Sequence, residues 1–213
     1  MTNLEFLKTI PDMIGTSIEI VKLIDNVFLF RDRLCATDGM ILFICDKPDG
    51  FSDELQDGTG KVEPVYQPPQ TPFKTYSIQS IRDEIYKLPQ VDEYDYKECS
   101  ECDGSGEVEY TYESKSGRDY EIDYDCPKCG GNGDFKTKTG KMIPDVNNYS
   151  FYFDGSHFNP LKVSSIFNVP NCPDSFEAIA IKLNLYFRIG EFEGVLIGLA
   201  NSMENSIKIE PLS

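Results

Sequence analysis

The sequence has no tryptophan, a single histidine and no uninterrupted apolar stretch of 18 residues. A helix that crosses a bilayer needs about 20 mostly apolar residues, so the sequence predicts no membrane span. Residues 1–13 also lack the positively charged cluster and the apolar run that mark a secretion signal. From these absences we expect a cytoplasmic protein without a membrane partner.

Basic residues are scarce. Lysine and arginine number 20 against 36 aspartates and glutamates, which gives a net charge of -16 and a pI of about 4.4. Proteins hold nucleic acid largely through positive charge, and the densest basic cluster here is only Lys136, Lys138 and Lys141. The charge therefore disfavours direct binding to nucleic acid, and a solubilised surface is its simplest interpretation.

The usual signatures of an enzyme are missing as well. No phosphate-binding loop occurs, and no glycine fingerprint for a dinucleotide opens a helix after a strand. His157 is the only histidine, and a capping or surface role suits it better than that of a catalytic base or a ligand. The acidic run at 92–95 is interpreted as a solvated segment. We therefore expect no catalytic residues and no enzymatic activity.

Hydrophobic periodicity predicts an α+β fold with an antiparallel sheet and two or three helices. Helices are predicted over residues 4–10, 75–88 and 156–167. Between residues 46 and 73, glycines and prolines predict one long loop. Strands are predicted over 17–24, 27–31, 33–37, 40–45, 149–154, 178–189, 194–200 and 206–210.

Four of the seven cysteines fall in two copies of the pattern C-x-x-C-x-G-x-G, and these are Cys99, Cys102, Cys126 and Cys129. The spacing lets both thiolates of each pair reach one ion, and two pairs complete the tetrahedron of sulfurs that zinc prefers. The glycines allow backbone N–H groups to turn towards the sulfurs. A single C-x-x-C would leave a disulfide or redox pair open, whereas the repeat favours one structural Zn²⁺ with no open position for water.

The residues between these two motifs predict a β-hairpin. Val108, Tyr110 and Tyr112 alternate with mostly acidic residues, and Tyr120, Ile122 and Tyr124 do the same after a turn. The tyrosines either cover a small core of their own or form a surface that contacts another protein. The three remaining cysteines are expected to be buried free thiols of a reducing compartment, and they are Cys35, Cys45 and Cys172.

The two cysteine motifs resemble half of the cysteine-rich region of DnaJ chaperones, which has four such units and two zinc ions. The resemblance covers residues 97–139 and implies one zinc ion and a module able to contact proteins. No J-domain and no His-Pro-Asp tripeptide are present, so chaperone activity is not carried over.

The flanking segments resemble a bacterial sliding DNA clamp. Residues 35–42 are similar to the A-T-D-G strand-turn-strand of that family, 151–162 to a strand with its second helix, and 194–199 to a closing strand. The resemblance implies one discontinuous domain formed by 1–96 and 140–213, with the zinc module as an insert. In that family the helices line a DNA channel. Of the two helices that would correspond here, the first, 4–10, offers only Lys8 and the second, 156–167, only Lys162.

These features lead to one main hypothesis and three alternatives. The main hypothesis is a non-enzymatic, zinc-containing binding protein that makes protein contacts in a DNA-processing or phage-like setting. A ring built from such a domain would need several copies, so self-association belongs to this hypothesis, as does a peptide groove near 46–73 and 194–200. The alternatives are a chaperone-like adaptor for extended chains, an acidic decoy that imitates DNA, and, least favoured by charge, a DNA-binding protein.

Overall fold

A computed structural model describes residues 1–10, 27–199 and 205–212. The chain forms two compact units, one from Met1–Leu88 with Asp145–Ser213 and the other from Pro89–Pro144. The strand predicted at 17–24 lies outside the described residues. Within them, no helix is long and apolar enough to span a bilayer.

The first unit begins with α1 (Asn3–Thr9), β1 (Phe28–Phe30), β2 (Arg33–Thr37), β3 (Ile41–Cys45), α2 (Thr59–Val62), β4 (Lys74–Ser77) and α3 (Ile78–Lys87). The second unit contains β5 (Gln90–Glu98), β6 (Glu107–Glu113), β7 (Asp119–Asp125) and β8 (Asp134–Pro144). The chain then completes the first unit with β9 (Tyr149–Phe153), β10 (Ser156–Phe158), α4 (Pro160–Ser165), a 3-10 turn (Ile166–Asn168), β11 (Ser175–Ile181), β12 (Asn184–Ile189), β13 (Phe192–Ile197) and β14 (Asn205–Lys208).

The main sheet of the described chain has seven strands in the order β1-β2-β3-β13-β12-β11-β4, and every neighbouring pair is antiparallel. A smaller sheet, β10-β9-β14, contains one parallel pair, β9 with β14. The predicted antiparallel sheet with a few helices is confirmed. The α+β class nevertheless understated the share of strand, because β4, β5, β8 and β10 are strands that the sequence did not predict.

The main core lies where α1, α3 and α4 pack on one face of the seven-stranded sheet. Helix α1 starts at a capping box, in which the Thr2 hydroxyl accepts from the Glu5 backbone N–H and the Glu5 carboxylate accepts from the Thr2 backbone N–H. The helix buries Phe6 and Leu7. The Phe6 ring meets the rings of Phe43 and Phe192 edge to face at 5.1 and 5.2 Å. Such pairs add to the free energy gained from burying apolar area, so α1 is fixed to the centre of the sheet.

The later part of the segment 46–73 covers the other face of the same sheet, while Phe51 and Leu55 pack against the main core. It contains α2, and its buried side chains Val62 and Tyr66 join a second apolar cluster with strand residues that include Phe30 and Tyr186. The Tyr66 ring lies 6.1 Å from each of those two rings. The predicted loop without secondary structure is therefore wrong at 59–62, because the apolar residues of this segment cover a sheet face.

Three other predicted boundaries need correction. The strand predicted over 178–189 is two strands, β11 and β12, separated by a turn in which Lys182 has a φ of 54°. The helix predicted over 75–88 starts only at Ile78, after β4, where the Ser77 side chain caps it. The helix predicted over 156–167 is preceded by β10 and starts at Pro160, because Asn159 caps it there.

The A-T-D-G turn between β2 and β3 is built around a buried carboxylate. Asp38 has no exposed surface, and its Oδ1 accepts hydrogen bonds from the backbone N–H groups of Met40 and Ile41 at 2.8 and 2.7 Å. Its Oδ2 accepts a hydrogen bond from Lys162 Nζ at 2.8 Å. This turn therefore connects the sheet to α4 through an ion pair.

In the second unit, β5 and β8 form an antiparallel pair with a bulge between Asp92 and Tyr94. The Lys136 ammonium lies 3.8 Å from the Tyr94 ring centre, and Lys138 bonds with Asp92. The lysine cluster and the acidic run of the sequence are therefore neighbours on paired strands, and the solvated segment expected at 92–95 is part of a strand. The unit extends beyond the 97–139 boundaries expected for the zinc module.

Candidate metal centre

The four cysteines of the repeated motif meet at one point of the second unit. Cys99 and Cys102 lie between β5 and β6, and Cys126 and Cys129 lie between β7 and β8. All four are buried, and their sulfur atoms lie within 4.8 Å of one another. The sequence places each pair on a short turn, and the β6–β7 hairpin returns the chain so that the two turns face each other.

The distances between sulfurs fit a shared metal ion. Cys99 Sγ lies 3.8 Å from Cys126 Sγ, and Cys102 Sγ lies 3.8 Å from Cys129 Sγ. Sulfurs at about 2.3 Å from a common tetrahedral ion would be about 3.8 Å apart, whereas a disulfide needs about 2.05 Å. All seven cysteines are free thiols. The four sulfurs can therefore hold one metal ion such as zinc.

Two glycines allow the turns to approach this closely. Gly106 and Gly133 have φ values of 80° and 79°, which L side chains rarely adopt. A Cβ on Gly106 would clash with the carbonyl oxygen of Gly131, and a Cβ on Gly133 would clash with that of Gly104. These glycines are therefore needed for two reasons, the positive φ of each turn and the close contact between the two turns.

Backbone N–H groups surround the sulfurs. The Gly133 N–H donates to Cys129 Sγ at 3.2 Å. Burial raises the pKa of Cys102 to about 11, although a hydrogen bond from the Gly106 backbone opposes it. At Cys126 burial also acts to raise the pKa, but hydrogen bonds from the backbone N–H groups of Cys129 and Lys128 and with the Cys129 and Cys99 thiols together lower it to about 7. The site therefore contains backbone N–H donors of the kind that a set of thiolates requires.

The hairpin that joins the two turns has two unlike faces. Its apolar side chains are roughly half exposed, with Tyr110 at 52%, Tyr112 at 58% and Tyr124 at 62%. Of the hairpin residues, only Val108 packs against the cysteines. The tyrosine rings contact each other across the two strands, Tyr110 with Tyr124 at 6.2 Å and Tyr112 with Tyr120 at 6.4 Å, yet all four stay about half exposed. This exposed face is the second feature of the site.

The remaining sequence candidates lie in the first unit. His157 Nδ1 is 3.0 Å from Ser150 Oγ, and its ring lies 5.2 Å from the Tyr152 ring, so it packs beside β9. Cys35 and Cys45 are buried, and burial raises the pKa of Cys45 to about 11. Cys172 is only partly buried, so its predicted full burial is wrong.

No protein-family model and no curated protein matches the chain. Among solved structures, it is similar to DNA polymerase III subunit beta from Borrelia burgdorferi, with 11% identity, a TM-score of 0.48, and coverage of 95% of this chain and 64% of that one. It is also similar to the DNA polymerase sliding clamp from Pseudomonas aeruginosa, with 11% identity, a TM-score of 0.43, and coverage of 94% and 66%.

The beta subunit from DNA polymerase of Streptococcus pyogenes gives 10% identity, a TM-score of 0.45, and coverage of 94% and 65%. The chain thus spans about two thirds or less of the length of these clamps. At such scores the similarity concerns the outline of the fold alone. The DnaJ-type resemblance of the cysteine motifs stays a prediction from the sequence.

Proposed function

We propose that this protein is a non-enzymatic binding protein in which one structural Zn²⁺, held by Cys99, Cys102, Cys126 and Cys129, fixes a hairpin that contacts a protein partner. The observation that carries the proposal is the cluster of four buried sulfurs at the spacing of a tetrahedral ion. Nothing else in the described chain brings so many metal-ligating groups together inside the protein.

The donor set supports zinc in a structural role. Soft thiolates in a tetrahedral arrangement select zinc or iron over the hard cations that prefer oxygen. Four protein sulfurs leave no coordination position for water, which a catalytic zinc needs. The ion would instead stabilise a unit whose apolar residues are too few to hold it together by burial alone.

Metal analysis of the purified protein tests the site. We expect about one zinc per chain, and Cys126→Ser should lower this to near zero, because three thiolates and a hydroxyl bind zinc far more weakly. Limited proteolysis should then cut between residues 99 and 133, while Cys172→Ser, the matched control, leaves zinc and protease resistance unchanged. Iron in place of zinc, or full loading of the Cys126 variant, would contradict the proposal.

The exposed tyrosines support a protein partner. Five exposed apolar side chains share one face of the hairpin, and a contiguous exposed apolar surface often marks a protein-contact site. An adaptor for extended polypeptides is the form of this function that the exposed face favours. A setting in DNA replication or processing, and the self-association that a clamp-like ring would need, rest on the sequence resemblance of residues 35–42, 151–162 and 194–199 and remain predictions.

The carboxylates on the opposite face of the hairpin favour a second candidate, an acidic decoy that occupies a DNA-binding protein. Such binding would depend on charge alone and would be lost in high salt. Competition between this protein and duplex DNA for a basic DNA-binding domain distinguishes the two candidates. The decoy predicts that competition persists when the tyrosines are replaced by serine, because the carboxylates are unchanged. The adaptor predicts no competition by that variant.

A further inference from the structure

We propose that β7 is an open docking edge that accepts an extended polypeptide in which basic and apolar residues alternate, added as a third strand beside the hairpin. This inference rests on the proposed function in one respect, since the metal fixes the base of the hairpin. It specifies the chemistry of the partner, which the proposed function leaves open.

The strand register sorts the hairpin into two chemically uniform faces. Direct partners in an antiparallel pair lie on the same face, and the pairs include Tyr110 with Ile122 and Tyr112 with Tyr120. One face therefore carries only apolar and aromatic side chains. The other carries Glu107, Glu109, Thr111, Glu113, Asp119, Glu121, Asp123 and Asp125.

The outer edge of β7 is free. The hydrogen bonds from Cys126 N–H to the Gly106 oxygen and from Ser114 N–H to the Arg118 oxygen set the phase of the hairpin ladder. Residues at even positions therefore bond across to β6, and the backbone groups of Asp119, Glu121 and Asp123 point away from it. Within the described chain, β7 has β6 as its one strand neighbour.

An added strand would place its side chains alternately on the two faces, because successive residues of a strand point in opposite directions. Cross-strand neighbours lie about 5 Å apart, so residues on the acidic face would meet Glu121 and Asp123. On the other face the next residues would meet Ile122 and Tyr124, which line a shallow pocket with Tyr110, Tyr112, Asp125 and Pro127. Lysine or arginine alternating with aliphatic residues satisfies both faces.

The same charges exclude other occupants. A second copy of the chain pairing through β7 would bring carboxylates directly opposite one another, which is unfavourable. Nucleic acid would meet the same repulsion. The β6 edge is a weaker site, because Thr111 interrupts its row of carboxylates. The simplest competing interpretation is that the acidic row only protects a free edge from aggregation.

Peptide binding separates these interpretations. The probe is a capped eight-residue peptide of alternating lysine and valine with a fluorescent label, titrated with zinc-loaded protein and followed by anisotropy. One control has the same residues in two blocks, and another has glutamate in place of lysine. We expect the block peptide to bind about tenfold more weakly and the glutamate peptide not to bind, because pairing with both faces requires alternation as well as charge.

Proline substitutions test the edge itself. Asp123→Pro removes a backbone N–H that points away from β6, so the hairpin ladder is preserved while strand addition is blocked. Asp123→Asn removes the same charge but keeps the N–H, and Thr111→Pro makes the equivalent change on the β6 edge. We expect Asp123→Pro to weaken binding of the alternating peptide about tenfold, and more than Asp123→Asn, while Thr111→Pro has little effect.

Zinc content is measured in the same samples, so failure of this inference can be told from failure of the proposed function. Equal binding of alternating and block peptides, or no binding by zinc-loaded protein, overturns the docking edge and leaves the metal site intact. Loss of binding in Thr111→Pro but not in Asp123→Pro overturns the assignment to β7. Protein that holds no zinc overturns the proposed function first.

Discussion

At the residue scale, Gly106 is where a single methyl group should harm the metal site. A Cβ there would meet the Gly131 carbonyl oxygen, so Gly106→Ala must push the two cysteine turns apart. We expect weaker zinc binding, measured by competition with a chromogenic chelator, together with loss of protease resistance in the hairpin.

Gly117→Ala is the matched control. Gly117 also has a positive φ, 72°, but a Cβ at this position meets nothing within 4 Å. The alanine would therefore cost only the backbone strain, about 1–2 kcal/mol, at the tip of the hairpin. Equal loss of zinc affinity in both variants would show that backbone conformation, and not the close approach of the turns, governs the site.

The buried Asp38 carboxylate supports a second prediction. Asp38→Ala removes the acceptor for two backbone N–H groups and the partner of Lys162, so we expect the first unit to lose about 3 kcal/mol in its free energy of unfolding, measured with urea. Asp46→Ala breaks an exposed ion pair with Arg33 and should change stability little. A small effect of Asp38→Ala would mean that water replaces its hydrogen bonds.

The sequence indicated the cysteine cluster but not the surroundings of Asp38, and the difference is one of distance along the chain. Each cysteine pair and its glycines lie within eight residues, so the local pattern is enough to predict the turn that brings the two thiols together. Asp38 was visible as a turn residue, whereas its ionic partner lies 124 positions away and no local pattern indicates it.

At the element scale, the predictions from sequence failed where no local residue pattern marked a turn or a strand pairing. Nine of the 12 residues at 178–189 are apolar, and the turn at Lys182 contains no glycine or proline to mark it. The pairing of β5 with β8 was missed because neither segment has the apolar residues that would predict a strand. Both strands are polar, and opposite charges such as those of Lys138 and Asp92 favour a pairing that neither segment shows alone.

The two-stranded β6–β7 hairpin leads to a third prediction. A single hairpin is marginally stable in water, and this one packs only Val108 against the cysteines. Removing the metal with a chelator should therefore abolish hydrogen-exchange protection of the Tyr110 and Ile122 amides, while the amides of Leu185 and Phe187 in β12 keep theirs. Protection of Tyr110 that survives chelation would mean that the hairpin is stable without the ion.

At the scale of the whole molecule, the two units have separate means of stabilisation. The apolar clusters of the described chain that cover the two faces of the main sheet contain no residue of 89–144, and the cysteine cluster contains no residue outside that range. Burial therefore stabilises the first unit, whereas the second depends on its strand pairs and the ion. Loss of zinc should thus leave the unfolding of the first unit unchanged.

Deleting most of the second unit tests this separation. Gln90 and Pro144 are direct partners at the open end of the β5–β8 pair, so the chain enters and leaves the unit at neighbouring positions. An Asn-Gly turn that joins Gln90 to Pro144 can therefore replace residues 91–143 without stretching the chain. We expect the shortened protein to unfold cooperatively in urea at the midpoint of the first unit in the full chain. A molten product, with its near-ultraviolet circular dichroism lost, would show that the seven-stranded sheet needs the metal-bearing unit in order to fold.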